Sequence, residues 1–311
     1  MQFPLISICI PAYKRPENID RLLHSISIQT FKDFEIIITD DSPDESLKPV
    51  LQKYGQLPIF YYKNEKPLGT PDNWNHGISL AKGEWIKLIH DDDWFVDENS
   101  LAAFAAATST KKRFISCRYY NVFPSGEKEM PGFPGNWKDK IINEPMMLLA
   151  TNVIGPPSVT LIHSSIKQAY DTFLQWRVDI EYYVRILSKE KDFELINEPL
   201  INVGISETQV TNYCINNPKV ELPEGQVLLF KYGLKPLRKI LVYDAWWRIL
   251  RNVHVRSVKQ LSSYTPYNTW PEAIAAMVKH QSIVPAGILK FGPFSKIAMA
   301  FSYLINRSRL K

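Results

Sequence analysis

Four short, almost wholly apolar runs in the first ninety residues limit the fold more than any other feature of the chain. They are Leu5–Ile10, Phe34–Thr39, Ile59–Tyr62 and Trp85–Ile89. Runs without strict polar alternation suit strands covered on both faces, as in a parallel sheet. The intervening segments read as helices. Ile19, Leu22, Leu23 and Ile26 recur at helical spacing, and Ser46 to Tyr54 fits a short helix. Asp72 can cap a third helix, with Gly83 as its C-terminal cap. The order strand, helix, strand, helix, strand, helix, strand predicts a right-handed α/β unit with a largely parallel sheet.

The fourth run releases three consecutive carboxylates, Asp91, Asp92 and Asp93. Such groups cannot sit unpaired inside a core. Gathered at a strand end, they are hard oxygen ligands suited to Mg2+ or Mn2+ shared with substrate phosphates. Open α/β sheets bind ligands outside the carboxyl ends of their strands, where these residues emerge. The alternative is an acidic turn facing solvent. Against it stands the second run, which also ends in acids, Asp40 and Asp41.

Further along, Phe114–Phe123 and Val159–Ile162 read as strands and Asp179–Leu187 as a helix. Leu195–Asn202 reads as a final edge strand broken by Pro199. A boundary is expected near Asn216-Asn217-Pro218, with helical segments beyond it. The expected domains are therefore residues 1–215, divided near residue 98, and an extension over 216–311. At 311 residues and 45% hydrophobic, the chain can bury a substantial core.

Cys9, Cys117 and Cys214 have no metal-ligand spacing and read as buried thiols of a reducing compartment. No signal-peptide pattern and no apolar run long enough to span a bilayer is present, so a cytoplasmic location is expected. The net charge of +5 is uneven, with Lys and Arg dominating from Lys231 onward. Lys231, Lys235, Arg238, Lys239, Arg248 and Arg251 accompany Trp246, Trp247, Leu237, Ile240 and Leu241. That mixture fits peripheral contact with an anionic membrane or, alternatively, a helical subdomain packed on the sheet. No motif for nucleic acid is present.

Taken together, Ile8–Arg15, Ile37–Ser42, Asn75-His76-Gly77, Leu88–Trp94 and Trp176–Glu181 with Arg185 resemble a non-processive family 2, GT-A-type glycosyltransferase of bacterial surface-polysaccharide synthesis. The motifs cover most of residues 5–210. The resemblance implies a Rossmann-like, mostly parallel sheet flanked by helices, followed by a mainly helical extension. It also implies a nucleoside-diphosphate sugar donor, UDP foremost, and Mn2+ or Mg2+ as cofactor. The acceptor would be a glycan or polyprenyl-linked oligosaccharide. By the same resemblance the metal falls on Asp92, with Asp91 and Asp93 assisting through ribose, metal or neighbouring contacts. Pro11, Ala12 and Tyr13, with Arg15 in the same motif, line the nucleotide pocket. Asp40 or Asp41 meets base and ribose, or else only forms a turn. Asn75 contacts the donor or caps locally.

The resemblance places the general base at Asp179, with Glu181 as the fallback. The rival reading of Asp179 is a dipole-favoured residue at a helix start. The reaction would add one sugar per event, because the Gln-x-x-Arg-Trp signature of processive synthases is absent; with Asp179 as base, attack from the face opposite the nucleotide would invert the configuration. Two departures stand out. His90 occupies the position of the motif's first aspartate and reads first as a structural neighbour, second as a ligand. Trp74 stands where many relatives carry arginine. Two other classes remain open: a sugar nucleotidyltransferase, and a catalytically silent scaffold that binds glycan or membrane.

Overall fold

A computed structural model describes residues 3–207, 209–265 and 269–310. The strands are β1 Ile6–Ala12, β2 Phe34–Asp40, β3 Ile59–Lys63, β4 Trp85–Leu88, β5 Trp94–Phe95, β6 Phe114–Val122, β7 Lys128–Glu129, β8 Thr160–His163 and β9 Glu194–Gly204. The helices are α1 Pro16–Ser27, α2 Lys48–Lys53, α3 Asp72–Leu80, α4 Ser100–Ala107, α5 Trp137–Asn143, α6 Val178–Glu190, α7 Val210–Cys214, α8 Pro218–Tyr232, α9 Ile240–Asn252, α10 Val258–Ser262, α11 Glu272–Ile283, α12 Ala286–Lys290 and α13 Gly292–Asn306.

Two compact units result. The first is Met1–Asn143, Val153–Thr172 and Arg185–Glu207; the second is Glu144–Asn152, Phe173–Val184 and Thr208–Lys311. The second unit thus takes in 144–152 and 173–184 beside the helical extension, segments that a single cut near residue 215 assigns to the first.

The first unit is built on one sheet of order β3-β2-β1-β4-β8-β6-β9-β5, with β7 paired to β6. From β3 to β4 it is parallel, as the apolar runs require. Ile6, Ile8, Cys9 and Ile10 of β1 are fully buried. So are Ile19, Leu22, Leu23 and Ile26 of α1, each worth about 1.5–3 kcal/mol when buried. Beyond β4 the sheet is mixed: β8 is antiparallel to both of its neighbours, while β6 and β9 are parallel. Pro11 is accommodated because β4 pairs only as far as Cys9, leaving one side of β1 open there.

Two local expectations are corrected. The strand over Leu195–Asn202 is not an edge: β9 lies between β6 and the two-residue β5. Pro199 sits at a register shift against Arg118, so the missing donor falls in an irregularity. Nor does Gly83 cap α3, which ends at Leu80. Instead Gly83 packs on β1, where a Cβ would lie 2.6 Å from the Ser7 backbone nitrogen. Its N–H donates to Ser7 Oγ, which donates in turn to buried Glu35.

The second unit is helical, apart from turns. Trp246, Trp247 and Leu237 are buried in it, so these side chains are core and do not face a headgroup layer. Gly225 lets α8 approach α9, since a Cβ there would fall 2.6 Å from the Trp246 ring. All three cysteines are buried and free. Among the described residues no helix is long and apolar enough to cross a membrane.

Candidate active site

In the order β3-β2-β1-β4 the direction of strand succession reverses between β1 and β4. The crevice at such a reversal is where open α/β sheets take ligands. Here it is lined by the turn after β1, residues 13–15, and the turn after β4, residues 89–93. Lys14 and Arg15 both adopt left-handed backbone conformations, φ 59° and 56°, each costing about 1–2 kcal/mol. That conformation brings Arg15 over the acids, with its Nη1 3.8 Å from Asp91 and 3.7 Å from Asp92. Tyr13 donates its backbone N–H to Asp91. Burial, and then the charge of Asp92, push the Asp91 carboxyl up to about 7.

One donor atom from each of His90, Asp92 and Asp93 lies within 4.8 Å of the other two. Asp93 is buried; it accepts the Gly204 N–H at 3.1 Å and a hydrogen bond from Ser158. Burial and the neighbouring Asp92 charge hold its carboxyl well above the usual range. Ser158 Oγ also accepts the His90 N–H at 3.0 Å. The imidazole stacks on Trp74 with ring centroids 4.6 Å apart, and its buried Nε2 has no hydrogen-bond partner among the described residues. An imidazole whose Nδ1 lies 4.0 Å from the Asp93 carboxylate, grouped with Asp92, is a donor set that a divalent cation fits. His90 therefore joins Asp92 and Asp93 in the cluster.

The frame behind this turn was not visible in the sequence. Arg21 of α1 donates to the Asp92 carbonyl at 3.0 Å and stacks its guanidinium 3.9 Å from the Trp94 ring. Lys87, fully buried in β4, donates to the carbonyls of Ser158 and Thr160, and burial lowers its ammonium to about 8. Gly204 is the tightest point: a Cβ there would lie 2.4 Å from the Asp92 carbonyl oxygen. Gly204→Ala is expected to displace the 91–93 turn. It should cost about 1–3 kcal/mol, the range for overpacking, and weaken Mn2+ binding; thermal melts and calorimetry check both.

The ends of β2 and β3 hold the other acids. Asp40 is fully buried. It accepts from the Ser42 N–H, Tyr61 Oη and Lys63 Nζ at 2.7, 2.7 and 3.1 Å. Asp41 is spent on the loop after β3, accepting from Asn64 Nδ2 and the backbone N–H groups of Leu68 and Gly69 at 2.7, 3.0 and 2.8 Å. A carboxylate offers about four acceptor positions, so each retains one, and what differs is access: Asp40 has no accessible surface while Asp41 keeps 5%. Asn73 is buried and bonds the Thr39 carbonyl. Both ends of the Asn75 amide engage the backbone of Tyr170, at 2.7 and 2.9 Å, so Asn75 braces that segment. Pro11 and Ala12 lie in β1 itself, where the Ala12 carbonyl accepts the Asp41 N–H at 2.9 Å.

Asp179 and Glu181 belong to the second unit. Asp179, at the start of α6, retains partial exposure. It accepts from Asn152 Nδ2 and the Ile180 N–H, each at 2.7 Å. Burial pushes its carboxyl up to about 7. Glu181 is fully buried and tied to Lys231 at 2.6 Å and Tyr232 Oη at 3.1 Å. An acid so paired is poorly placed to take a further proton. The approach to Asp179 is fixed from α8: Glu224 accepts three successive backbone N–H groups, from Gln175, Trp176 and Arg177, and Glu221 pairs with Arg177 at 2.8 Å. Two buried acids three apart in an apolar helix are a signal the sequence does carry.

A parallel half-sheet with acids at its reversal point, continued by a mixed half and a helical region, is the GT-A arrangement of sugar transferases. Residues 7–165, just over half of the chain, match the sequence profile of Glycosyl transferase family 2, and the chain belongs to that family. It is 34% identical over 94 residues to an uncharacterized glycosyltransferase of Haemophilus influenzae, covering 30% of this chain and 31% of that protein. It is 33% identical over 94 residues to the GalNAc(5)-diNAcBac-PP-undecaprenol beta-1,3-glucosyltransferase of Campylobacter jejuni, covering 29% and 30%. These matches thus span under a third of either relative's length.

Among solved structures, S. aureus TarS 1-349 in complex with UDP-GlcNAc superposes with a TM-score of 0.57 at 15% identity, over 98% of this chain and 90% of that one. The mannosyltransferase PcManGT of Pyrobaculum calidifontis, in complex with GDP-Man and Mn2+, gives 0.56 at 12% identity, over 98% and 87%. At such identities the likeness is one of fold.

Proposed function

We propose that this chain transfers a single sugar from a UDP-sugar to a glycan or lipid-linked glycan on the cytoplasmic side of a membrane, with inversion at the anomeric carbon. The observation that carries the reading is the gathering of His90, Asp92 and Asp93 beside Arg15 at the reversal between β1 and β4. His90, Asp92 and Asp93 would hold the divalent ion, which when bound supplies Lewis-acid stabilisation to the departing diphosphate. Arg15, already poised over the acids, adds fixed positive charge for the same phosphates. Exposed Tyr13 and the remaining acceptor position of Asp41 are the groups offered to base and ribose; Asp40 acts behind them as the anchor of Tyr61 and Lys63.

Asp179 is the base in this reading. It takes the acceptor hydroxyl proton as the new carbon–oxygen bond forms, and the donor's anomeric carbon–oxygen bond breaks with its electron pair leaving on the nucleoside diphosphate. Its place in the motif and its raised carboxyl support it over Glu181, which Lys231 already occupies. An imidazole among the oxygen donors favours Mn2+ over Mg2+. The UDP-GlcNAc complex of the S. aureus neighbour supports a uridine donor, and the undecaprenol-linked acceptor of the C. jejuni relative supports a lipid-linked one.

The test is a release screen of the purified chain against UDP-, dTDP- and GDP-sugars with Mn2+ or Mg2+. The expected result is Mn2+-stimulated release of UDP from one sugar nucleotide. Release of pyrophosphate would instead identify a nucleotidyltransferase. Absence of both turnover and calorimetric nucleotide binding would point to a scaffold.

A further inference from the structure

Helix α13 is inside out. Its inward residues are Ser295, Met299, Ser302 and Asn306. The polar ones among them are fully satisfied within the second unit. Ser295 Oγ accepts from Trp247 Nε1 and Arg251, each at 3.1 Å. Ser302 bonds Tyr243 Oη and His280, each at 2.7 Å. Asn306 donates to Tyr243 Oη at 2.9 Å and to the Ala273 carbonyl at 3.0 Å. The opposite face carries Phe294, Ile297, Phe301, Leu304 and Ile305, which are 53–63% exposed. A helix on a water-facing surface presents the reverse arrangement. The hydrogen bonds fix the rotation of the helix, so the apolar stripe cannot be a helix turned the wrong way. It continues into exposed Phe291, whose ring lies 5.4 Å from that of Phe294.

Two observations select the occupant of this face. From Ile249 to the end, the sequence holds nine Lys and Arg against one carboxylate, Glu272, and Glu272 is already paired with Arg309. Exposed Lys290 and Lys296 stand next to the stripe in sequence. A second copy would bring like charge against like charge in a self-complementary pairing. An anionic surface meets no such repulsion. The fifteen residues of α13 span about 22 Å, short of the roughly 30 Å of a bilayer core, so the helix suits lying in an interface and not crossing one.

We infer that α13, with Phe291, is a membrane-docking face that inserts its Phe, Ile and Leu side chains among the lipids of an anionic bilayer. Docking is independent of the transfer chemistry. The test is co-sedimentation of the full chain with vesicles of phosphatidylcholine alone and of a two-to-one mixture with phosphatidylglycerol, at low and high salt. Binding is expected to the mixed vesicles, weakening with salt. Phe294→Ser combined with Phe301→Ser should lower it at least ~10-fold, with the melting temperature and nucleotide release unchanged, because both rings are exposed. Lys290→Glu with Lys296→Glu should remove the preference for anionic lipid. Absence of binding at low salt, equal binding to neutral vesicles, or undiminished binding by the double serine variant would overturn the inference. So would a dimer of the parent chain that the serine substitutions dissolve, since a second copy would then own the face.

Discussion

Asp92→Asn will abolish transfer while leaving the fold intact, with kcat/KM falling by about 100-fold or more if the carboxylate holds the cation that stabilises the leaving group. Among the ion pairs of the described residues, Asp92 has only the half-exposed Arg15 against its carboxylate, 3.7 Å away. Its backbone carbonyl, which the substitution keeps, is what Arg21 grips. Its charge also raises the carboxyls of Asp91 and Asp93. Asparagine should therefore relieve repulsion in the metal-free chain, and the melting temperature without metal should hold or rise slightly. The response to metal should move the other way. A ligand at 100 times its dissociation constant adds about 2.7 kcal/mol to the native state, so saturating Mn2+ should raise the melting temperature of the parent chain by several degrees. The variant should lose that rise. Melts of both proteins with and without MnCl2 decide the matter separately from any donor or acceptor. An equal Mn2+ shift in the variant would remove Asp92 from the ligand set.

How much of this was readable beforehand follows from where the physics is local. Strands β1, β2 and β4 were legible because strands buried on both faces must be continuously apolar; β3, equally apolar in sequence, is an edge strand that leaves Phe60 and Tyr62 exposed. Asp91 to Asp93 were legible because three carboxylates cannot end such a run without a purpose or a solvent exit. The direction of β8 and the two-residue β5 and β7 carry no period long enough to read. Contacts were less legible still. Asp40 and Asp41 look equivalent in sequence, yet Tyr61 and Lys63 enclose the first completely, while the second, held by the loop amides of Leu68 and Gly69, keeps a small accessible surface. His90 reads as a bystander in the sequence, whereas the fold sets its Nδ1 4.0 Å from Asp93 and groups it with Asp92. Helix α13 inverts the rule by which its inward face would be assigned, so the sequence pattern correctly placed a helix over Phe294–Ile305 and could not say which side packs.

The second large effect concerns Asp179. With its carboxyl raised to about 7 by burial, the group is half ionised near neutrality, where a general base balances availability against strength. Only the ionised form accepts a proton, so transfer should rise with pH, reach half its plateau near 7 and fall about tenfold per unit well below it. Asp91 is also raised to about 7, but a cation at the adjoining ligands would draw it down again, leaving Asp179 to set the acid limb of the metal-saturated enzyme. Asp179→Asn keeps the shape and retains an acceptor for the Asn152 amide. It should lower kcat by about 100- to 10,000-fold, the range for loss of a positioned base, and flatten the acid limb of what activity remains. Donor affinity by calorimetry should not move, whereas Asp92→Asn moves it. Glu181→Gln serves as the contrast: it breaks the pair with Lys231 inside the second unit, so it should lower the melting temperature and leave the pH profile in place. A profile of Asp179→Asn that keeps the parent's acid limb and rate would transfer the role of base to another group.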